Sequence, residues 1–143
     1  MAASSRRTRR SRFTEESMFD HVSIGVRDLA RSRAFYDAAL APLGLAALSV
    51  GGDSLGYGRD GAIGLWLLAS ASPVAADPHS GLHFCFAAPS RAAVGEFHRA
   101  GLATGGTDNG APGPRADYGP TYFAAYVVDP DGYRLEALCD KEG

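Results

Sequence analysis

The chain has 143 residues, enough for one domain with a sizeable core but too few for two ordinary domains. Hydrophobic residues make up 45% of it, charged residues 21%, and the net charge is -2, which excludes a disordered polyelectrolyte and a generally basic surface for nucleic acid. No apolar run approaches the roughly 18 residues of a membrane helix. The two cysteines, Cys85 and Cys139, stand in apolar stretches, as buried free thiols do. The composition predicts a cytoplasmic globular protein without nucleic-acid or membrane partners.

The first seventeen residues differ in composition from the rest. Five arginines lie there among serines and threonines, against two glutamates, without the apolar core of a secretory signal. We interpret residues 1–17 as a disordered basic extension and residues 18–143 as one domain. An arm for nucleic acid or a targeting signal is the alternative interpretation of the extension.

From Phe19 onward the hydrophobic periodicity alternates between strand-like and helix-like. A strand over 19–26 precedes a helix for which Asp28 offers the N-cap. Three more strands, separated by glycine-containing turns, are predicted at 46–50, 54–58 and 62–69. Residues 18–70 are therefore predicted to form a βαβββ module.

The second half of the chain repeats this order. A strand over 82–88 precedes a helix that is capped by Ser90 and ends at Gly101. The remaining elements are a weak strand over 102–107, a Gly/Pro-rich loop through Pro120, and strands over 122–128 and 133–139. His21 and His83 occupy matching places, about 62 residues apart, which indicates two copies of one module in an α+β fold. The second module spans about 81–139.

Three side chains of this duplicated pattern suit a metal ion. His21 and His83 would be brought to equivalent positions by a pseudo-twofold arrangement of the modules, and Glu136 stands among apolar residues of the last strand. An unpaired buried carboxylate costs several kcal/mol, and a cation, a metal or a raised pKa are the usual remedies. Two imidazoles and one carboxylate form a facial ligand set that leaves positions open for substrate. Two ordinary core histidines are the alternative interpretation.

Several motifs carry a family resemblance. The sequence MFDHVSIGVRDL at residues 18–29, LHF at 82–84 and VDPDGYRLE at 128–136 resemble the vicinal oxygen chelate superfamily. This superfamily includes glyoxalase I, the bleomycin and fosfomycin resistance proteins and the extradiol dioxygenases. The resemblance covers residues 18 to 139.

This resemblance implies paired modules that form an open mixed β-barrel around a divalent metal, and a homodimer. It also implies that His21, His83 and Glu136 are the metal ligands, and that the substrate is a small oxygen-rich molecule. The ligand set suits Fe(II), Mn(II), Zn(II), Ni(II) or Co(II) without selecting among them.

Two departures from the family pattern bear on the activity. Aligning the Asp-Gly turns of the two modules places Leu65 opposite Glu136, where glyoxalase I has a second glutamate, so lactoylglutathione lyase activity is not expected. Trp66 would then point to the opposite face, into helix packing. Tyr126 stands ten residues before Glu136, as in extradiol dioxygenases, but Gly119 replaces the histidine of their signature.

The loop over 110–122 leads into the strands that carry Glu136, so it is predicted to border the cavity. Arg115 could bind a substrate carboxylate or phosphate, with Tyr118 beside it. Tyr122 and Tyr126 are the candidate catalytic hydroxyls. The alternative interpretation pairs Arg115 with a surface acid such as Asp117 and makes the tyrosines ordinary strand residues.

The sequence thus favours a metal-dependent enzyme with lyase, isomerase or dioxygenase chemistry. A metal-free small-molecule binding protein of the bleomycin-resistance type is the alternative from another class. A fosfomycin-type thiol transferase is a third hypothesis, since it uses the same ligand set.

Overall fold

The computed structural model describes residues 18–74 and 77–142, and the basic extension predicted at 1–17 lies outside them. In module one, strand β1 is followed by helix α1, a short 3-10 turn and strands β2 to β4. Their bounds are Val22–Val26, Leu29–Leu40, Ala41–Leu43, Ala46–Val50, Ser54–Arg59 and Ala62–Ala69. In module two, β5 is followed by α2 and strands β6 to β8. Their bounds are Phe84–Ala87, Arg91–Ala103, Thr107–Pro114, Tyr122–Val128 and Arg134–Asp140.

The two modules have the same topology, which confirms the predicted duplication. Each contains a four-stranded mixed sheet, in the orders β1-β4-β3-β2 and β5-β8-β7-β6. The first strand of each module pairs in parallel with its last strand, and the other neighbours are antiparallel. The fold is therefore α+β, built from two βαβββ modules.

Each helix begins at the predicted cap and covers one face of its sheet. The Asp28 carboxylate accepts a hydrogen bond from the Arg31 backbone N–H, and the Ser90 hydroxyl accepts one from Ala93. The helices bury Phe35, Tyr36 and Phe97 against alternate residues of the strands. Within the described residues, no helix packs on the opposite face of either sheet, so these faces are available for a site. No helix of the described ranges is long and apolar enough to cross a membrane.

The segment between α2 and β7 differs from the prediction. The weak strand predicted at 102–107 is wrong, because the helix continues through Ala103. The first part of the predicted loop, Thr107–Pro114, is instead strand β6, which pairs with β7 at the sheet edge. Its register breaks around Gly110. Glycine and proline are tolerated here because an edge strand needs only one partner and bulges absorb the missing ladder bonds.

The turn between β7 and β8 joins module two to module one. The buried Asp129 carboxylate accepts a 2.6 Å hydrogen bond from the Tyr36 hydroxyl. Asp131 accepts from the Arg27 backbone N–H at 3.1 Å, from the Arg31 guanidinium at 3.2 Å and from the Ser32 hydroxyl at 3.3 Å. These contacts fix the start of α1 against the second module.

We predict that Tyr36→Phe destabilises the protein in a pH-dependent way. Burial raises the pKa of Asp129, and the hydrogen bond from Tyr36 opposes that rise. A carboxyl whose pKa is raised by folding costs stability as the pH increases through that pKa. Without the phenol the pKa rises further, so the free energy of unfolding should fall by about 1–3 kcal/mol at pH 7 and by less near pH 4.

Urea denaturation at both pH values measures this loss. Tyr57→Phe is the matched control, because its hydroxyl donates to the half-exposed Asp37, which water can hydrate after the change. An equal, pH-independent loss in both variants would contradict the assignment.

A candidate site around Glu136

Glu136 lies at the centre of the open face of module two. In β8 its neighbours Leu135 and Ala137 point into the core, so strand alternation turns the Glu136 side chain to the face without a helix. It pairs in register with Cys85 of β5 and with Tyr126 of β7. Side chains from both neighbouring strands cover it, and the residue is only 2% exposed.

The buried carboxylate is surrounded by hydrogen-bond donors. Its Oε2 accepts from the Tyr122 hydroxyl at 2.6 Å and from the Tyr126 hydroxyl at 3.2 Å. Its Oε1 lies 3.2 Å from Nε2 of His83, and Cys85 is its in-register neighbour on β5. We call these five residues the Glu136 cluster. Hydrogen bonds from the chain therefore compensate the burial of this carboxylate.

The two phenols and the thiol of the cluster have raised pKa values. Burial, together with the Glu136 carboxylate, raises the pKa of Tyr126 to about 12 and also raises that of Tyr122. The Cys85 residue as a whole is exposed, but desolvation of its thiol and the neighbouring Glu136 carboxylate raise the pKa of that thiol to about 12. At neutral pH both phenols and the thiol are protonated donors, which rules against a thiolate nucleophile in this state of the site.

Arg115 and Tyr118 extend the cluster toward solvent. The Arg115 guanidinium lies 5.4 Å from the centre of the Tyr126 ring and donates to the backbone carbonyls of Ala111, Gly113 and Pro114. The Tyr118 ring lies 5.3 Å from the Tyr122 ring and is 69% exposed. Arg115 thus organises the irregular end of β6 against a cluster tyrosine.

The structure brings two of the predicted metal ligands together and leaves the third apart. His83 and Glu136 lie together, whereas Nδ1 of the half-exposed His21 lies 2.8 Å from a carboxylate oxygen of Asp20. Within residues 18–74 and 77–142 of one chain, no three His, Cys, Asp or Glu side chains are grouped to hold a metal ion. A single chain therefore brings two of the three predicted ligands together.

The predicted alignment of the two modules, which placed Leu65 opposite Glu136, is wrong by one residue: Trp66 is the residue that corresponds to Glu136. β1 pairs Ser23 with Trp66 in the way that β5 pairs Cys85 with Glu136. Gly64 is an extra residue at the β3–β4 register shift, which an alignment on the turns cannot reveal. Leu65 is in the core, and Trp66 lies on the open face rather than in helix packing.

Cys85 also differs from the prediction, because it is exposed rather than buried and belongs to the cluster. The signal was present in the sequence: residues two apart in a strand share a face, so Cys85 accompanies His83. Cys139 is buried in the core as expected.

Comparison with known proteins assigns the family. The model of the Glyoxalase/Bleomycin resistance protein/Dioxygenase superfamily matches residues 18–137. The chain belongs to this superfamily. A crystal structure of a glyoxalase/bleomycin resistance protein from Albidiferax ferrireducens T118 is 36% identical, with a TM-score of 0.75 over 85% of this chain and 98% of that one. No curated protein sequence matches the chain.

More distant structures share the fold alone. The bleomycin resistance determinant encoded on transposon Tn5 is 21% identical, with a TM-score of 0.58 over 88% of this chain and all of that one. A mutant of the fosfomycin resistance protein FosX from Listeria monocytogenes, complexed with Mn(II) and 1S,2S-dihydroxypropylphosphonic acid, is 17% identical. Its TM-score is 0.64 over 87% of this chain and 91% of that one.

We predict that Glu136→Gln increases the reactivity of Cys85. The substitution removes the negative charge that helps to raise the thiol pKa, so more thiolate forms at pH 8.5 and alkylation by iodoacetamide should accelerate several-fold. Mass spectrometry of the Cys85 peptide, with EDTA present throughout, measures the rate. The buried Cys139 serves as the internal control, and unchanged Cys85 labelling would show that its thiol does not face the carboxylate.

Proposed function

We propose that this superfamily member is a divalent-metal-dependent enzyme acting on a small oxygen-rich substrate. The observation that supports this most directly is the pair formed by His83 and Glu136, an imidazole and a carboxylate 3.2 Å apart on an open sheet face. Fold membership by itself does not select a reaction. The proposal therefore depends on the chemistry of the Glu136 cluster.

The donor set fits a metal of the transition series. Nitrogen and oxygen ligands lie about 2.0–2.2 Å from such an ion, so adjacent ligand atoms lie about 3 Å apart, close to the separation of His83 Nε2 and Glu136 Oε1. The two phenols hold the other carboxylate oxygen, as outer-shell donors to ligands do. Fe(II), Mn(II), Zn(II), Ni(II) and Co(II) all accept these ligands.

The third ligand in this proposal is His21 of a second copy of the chain. In one chain His21 pairs with Asp20 and does not join His83 and Glu136. A symmetric homodimer that sets module one of each copy against module two of the other would supply the missing imidazole twice. The duplicated modules make such an arrangement self-complementary.

The chain's own residues would divide the chemistry as follows. A bound metal would polarise substrate oxygens and stabilise an enolate or oxyanion. Tyr122 and Tyr126 keep their protons at neutral pH, and either one would donate to a substrate oxygen by turning its single O–H from Glu136 to the substrate. Arg115 holds Tyr126 and the end of β6, and the exposed Tyr118 is placed to contact substrate at the rim. A polarising metal and a positioned proton donor are of use in isomerase, lyase and dioxygenase chemistry alike, so these residues do not select among them.

We predict that the wild type binds about one divalent metal per chain and that His83→Ala and Glu136→Gln bind at least tenfold more weakly. Loss of one ligand of three should cost more than about 1.4 kcal/mol. Elemental analysis after Mn(II) or Zn(II) loading and dialysis, with calorimetric titration, measures this. His79→Ala, an exposed loop histidine outside the cluster, is the matched control. Retention of metal by both cluster variants would refute the ligand assignment.

Mixing two inactive variants tests the intersubunit arrangement. His21→Ala and Glu136→Gln each lack one ligand, but a heterodimer of the two regains one intact site. After unfolding and refolding of an equal mixture, about one quarter of sites should bind metal with wild-type affinity, although neither variant alone has such a site. No recovery in verified heterodimers would show that His21 does not complete a partner's site.

A metal-free binding protein is the second candidate. It is favoured by the full set of donors that the chain itself supplies to Glu136, since the carboxylate needs no cation for its burial. Failure of the wild type to take up any divalent ion in the titrations above would select this candidate. Thiol-dependent consumption of fosfomycin would instead select the thiol-transferase hypothesis.

A further inference from the structure

Trp66, the only tryptophan of the chain, occupies the position in module one that Glu136 occupies in module two. It pairs with Ser23, and strand alternation places His21 on the same side as Ser23. The register therefore places His21 and Trp66 on one face of module one, whereas in module two His83 lies against Glu136.

The backbone around Trp66 is shaped to receive the indole. A Cβ added at Gly56 would lie 2.9 Å from Cζ3 of Trp66 and 2.8 Å from Cδ1 of Ile63. Both distances are too short for an ordinary contact, so the absence of a side chain lets the indole lie over the backbone of β3. The ring is half-buried, which leaves part of it free.

Along its own strand the indole is flanked by apolar side chains. β4 has the sequence AIGLWLLA and carries no charged or hydroxyl side chain. Leu68, two residues beyond Trp66 on the same face, is exposed. The indole and Leu68 give this face an apolar centre, and the polar side chains of Ser23, Ser49 and Ser54, which pair with Trp66, Gly56 and Leu68, lie around it.

We infer that Trp66 is a specificity-determining residue that stacks on a planar, apolar part of the substrate while oxygen atoms of that substrate reach the Glu136 cluster. This inference rests on the proposed function, because pairing His21 of one copy with the cluster of another also brings the accompanying Trp66 to the same cavity. The substrate class is then a planar ring or conjugated system with adjacent oxygen donors.

A matched pair of probes separates planarity from oxygen content. Catechol and cis-1,2-cyclohexanediol both have six carbons and two neighbouring oxygens, but only catechol is flat. Excitation at 295 nm reports on Trp66 alone, since the chain has no second tryptophan. Without dioxygen, catechol should change its emission saturably, beyond its effect on free N-acetyltryptophanamide, and the diol should not.

Calorimetric titration of Trp66 variants with catechol measures how much the indole ring contributes to affinity. Trp66→Leu should weaken catechol binding about 3- to 10-fold, the range expected for one aromatic contact, and leave binding of the diol within about twofold. Trp66→Phe keeps an aromatic ring and should recover part of the loss. Leu68→Ala, which removes apolar area without a ring, is the control, and circular dichroism verifies that each variant is folded.

The titrations are run with excess Mn(II) and with EDTA. Stacking should persist in EDTA at lower affinity, so a Trp66 effect without metal uptake would sustain this inference while refuting the metal proposal. Equal losses for catechol and the diol, or no loss for either, would overturn the inference whatever the metal result. A different pair of results would also overturn the inference: tryptophan emission that changes on protein dilution but not with catechol, and a Trp66→Leu variant whose dimer dissociates. Together they would assign this face to contact with a second copy of the chain.

Discussion

A carboxylate buried in an otherwise apolar strand is the constraint around which module two is organised. Glu136 is nearly inaccessible to water, and removing an ionised group from water is favourable only when donors replace the lost hydration. Two phenols of β7 and the imidazole that precedes β5 converge on it, and Cys85 of β5 pairs with it in register. The same donors hold the carboxylate in one orientation, which is the preorganisation that a metal or substrate site requires.

Duplication explains both the symmetry of the fold and the asymmetry of the chemistry. The modules share strand order, helix placement and the parallel pairing of first and last strands. At one register position, however, module two carries Glu136 and module one carries Trp66. One open face can therefore hold charge and protons, whereas the other offers an apolar aromatic wall. A site formed between the two faces would recognise molecules with a polar and a flat apolar side.

The turn between β7 and β8 connects this chemistry to stability. Asp129 and Asp131 bind α1 through Tyr36, Arg31 and Ser32, so the strand that carries Glu136 starts from a point anchored in module one. Arg115 anchors the other side by holding the edge strand β6 through three backbone carbonyls. Asp129, Asp131 and Arg115 thus help to fix the positions of the strands that carry the Glu136 cluster.

Local patterns in the sequence determined the element order, both helix caps and the duplication, because hydrophobic periodicity and capping act over a few residues. They also identified His83, Glu136, Tyr122 and Tyr126, which the structure brings together. Tertiary structure alone decided the register of β4, where one extra residue at a bulge exchanges the faces of Leu65 and Trp66. It also decided which two of the three predicted ligands meet within one chain. Such outcomes depend on pairing between distant strands, and no spacing along the chain encodes the register of that pairing.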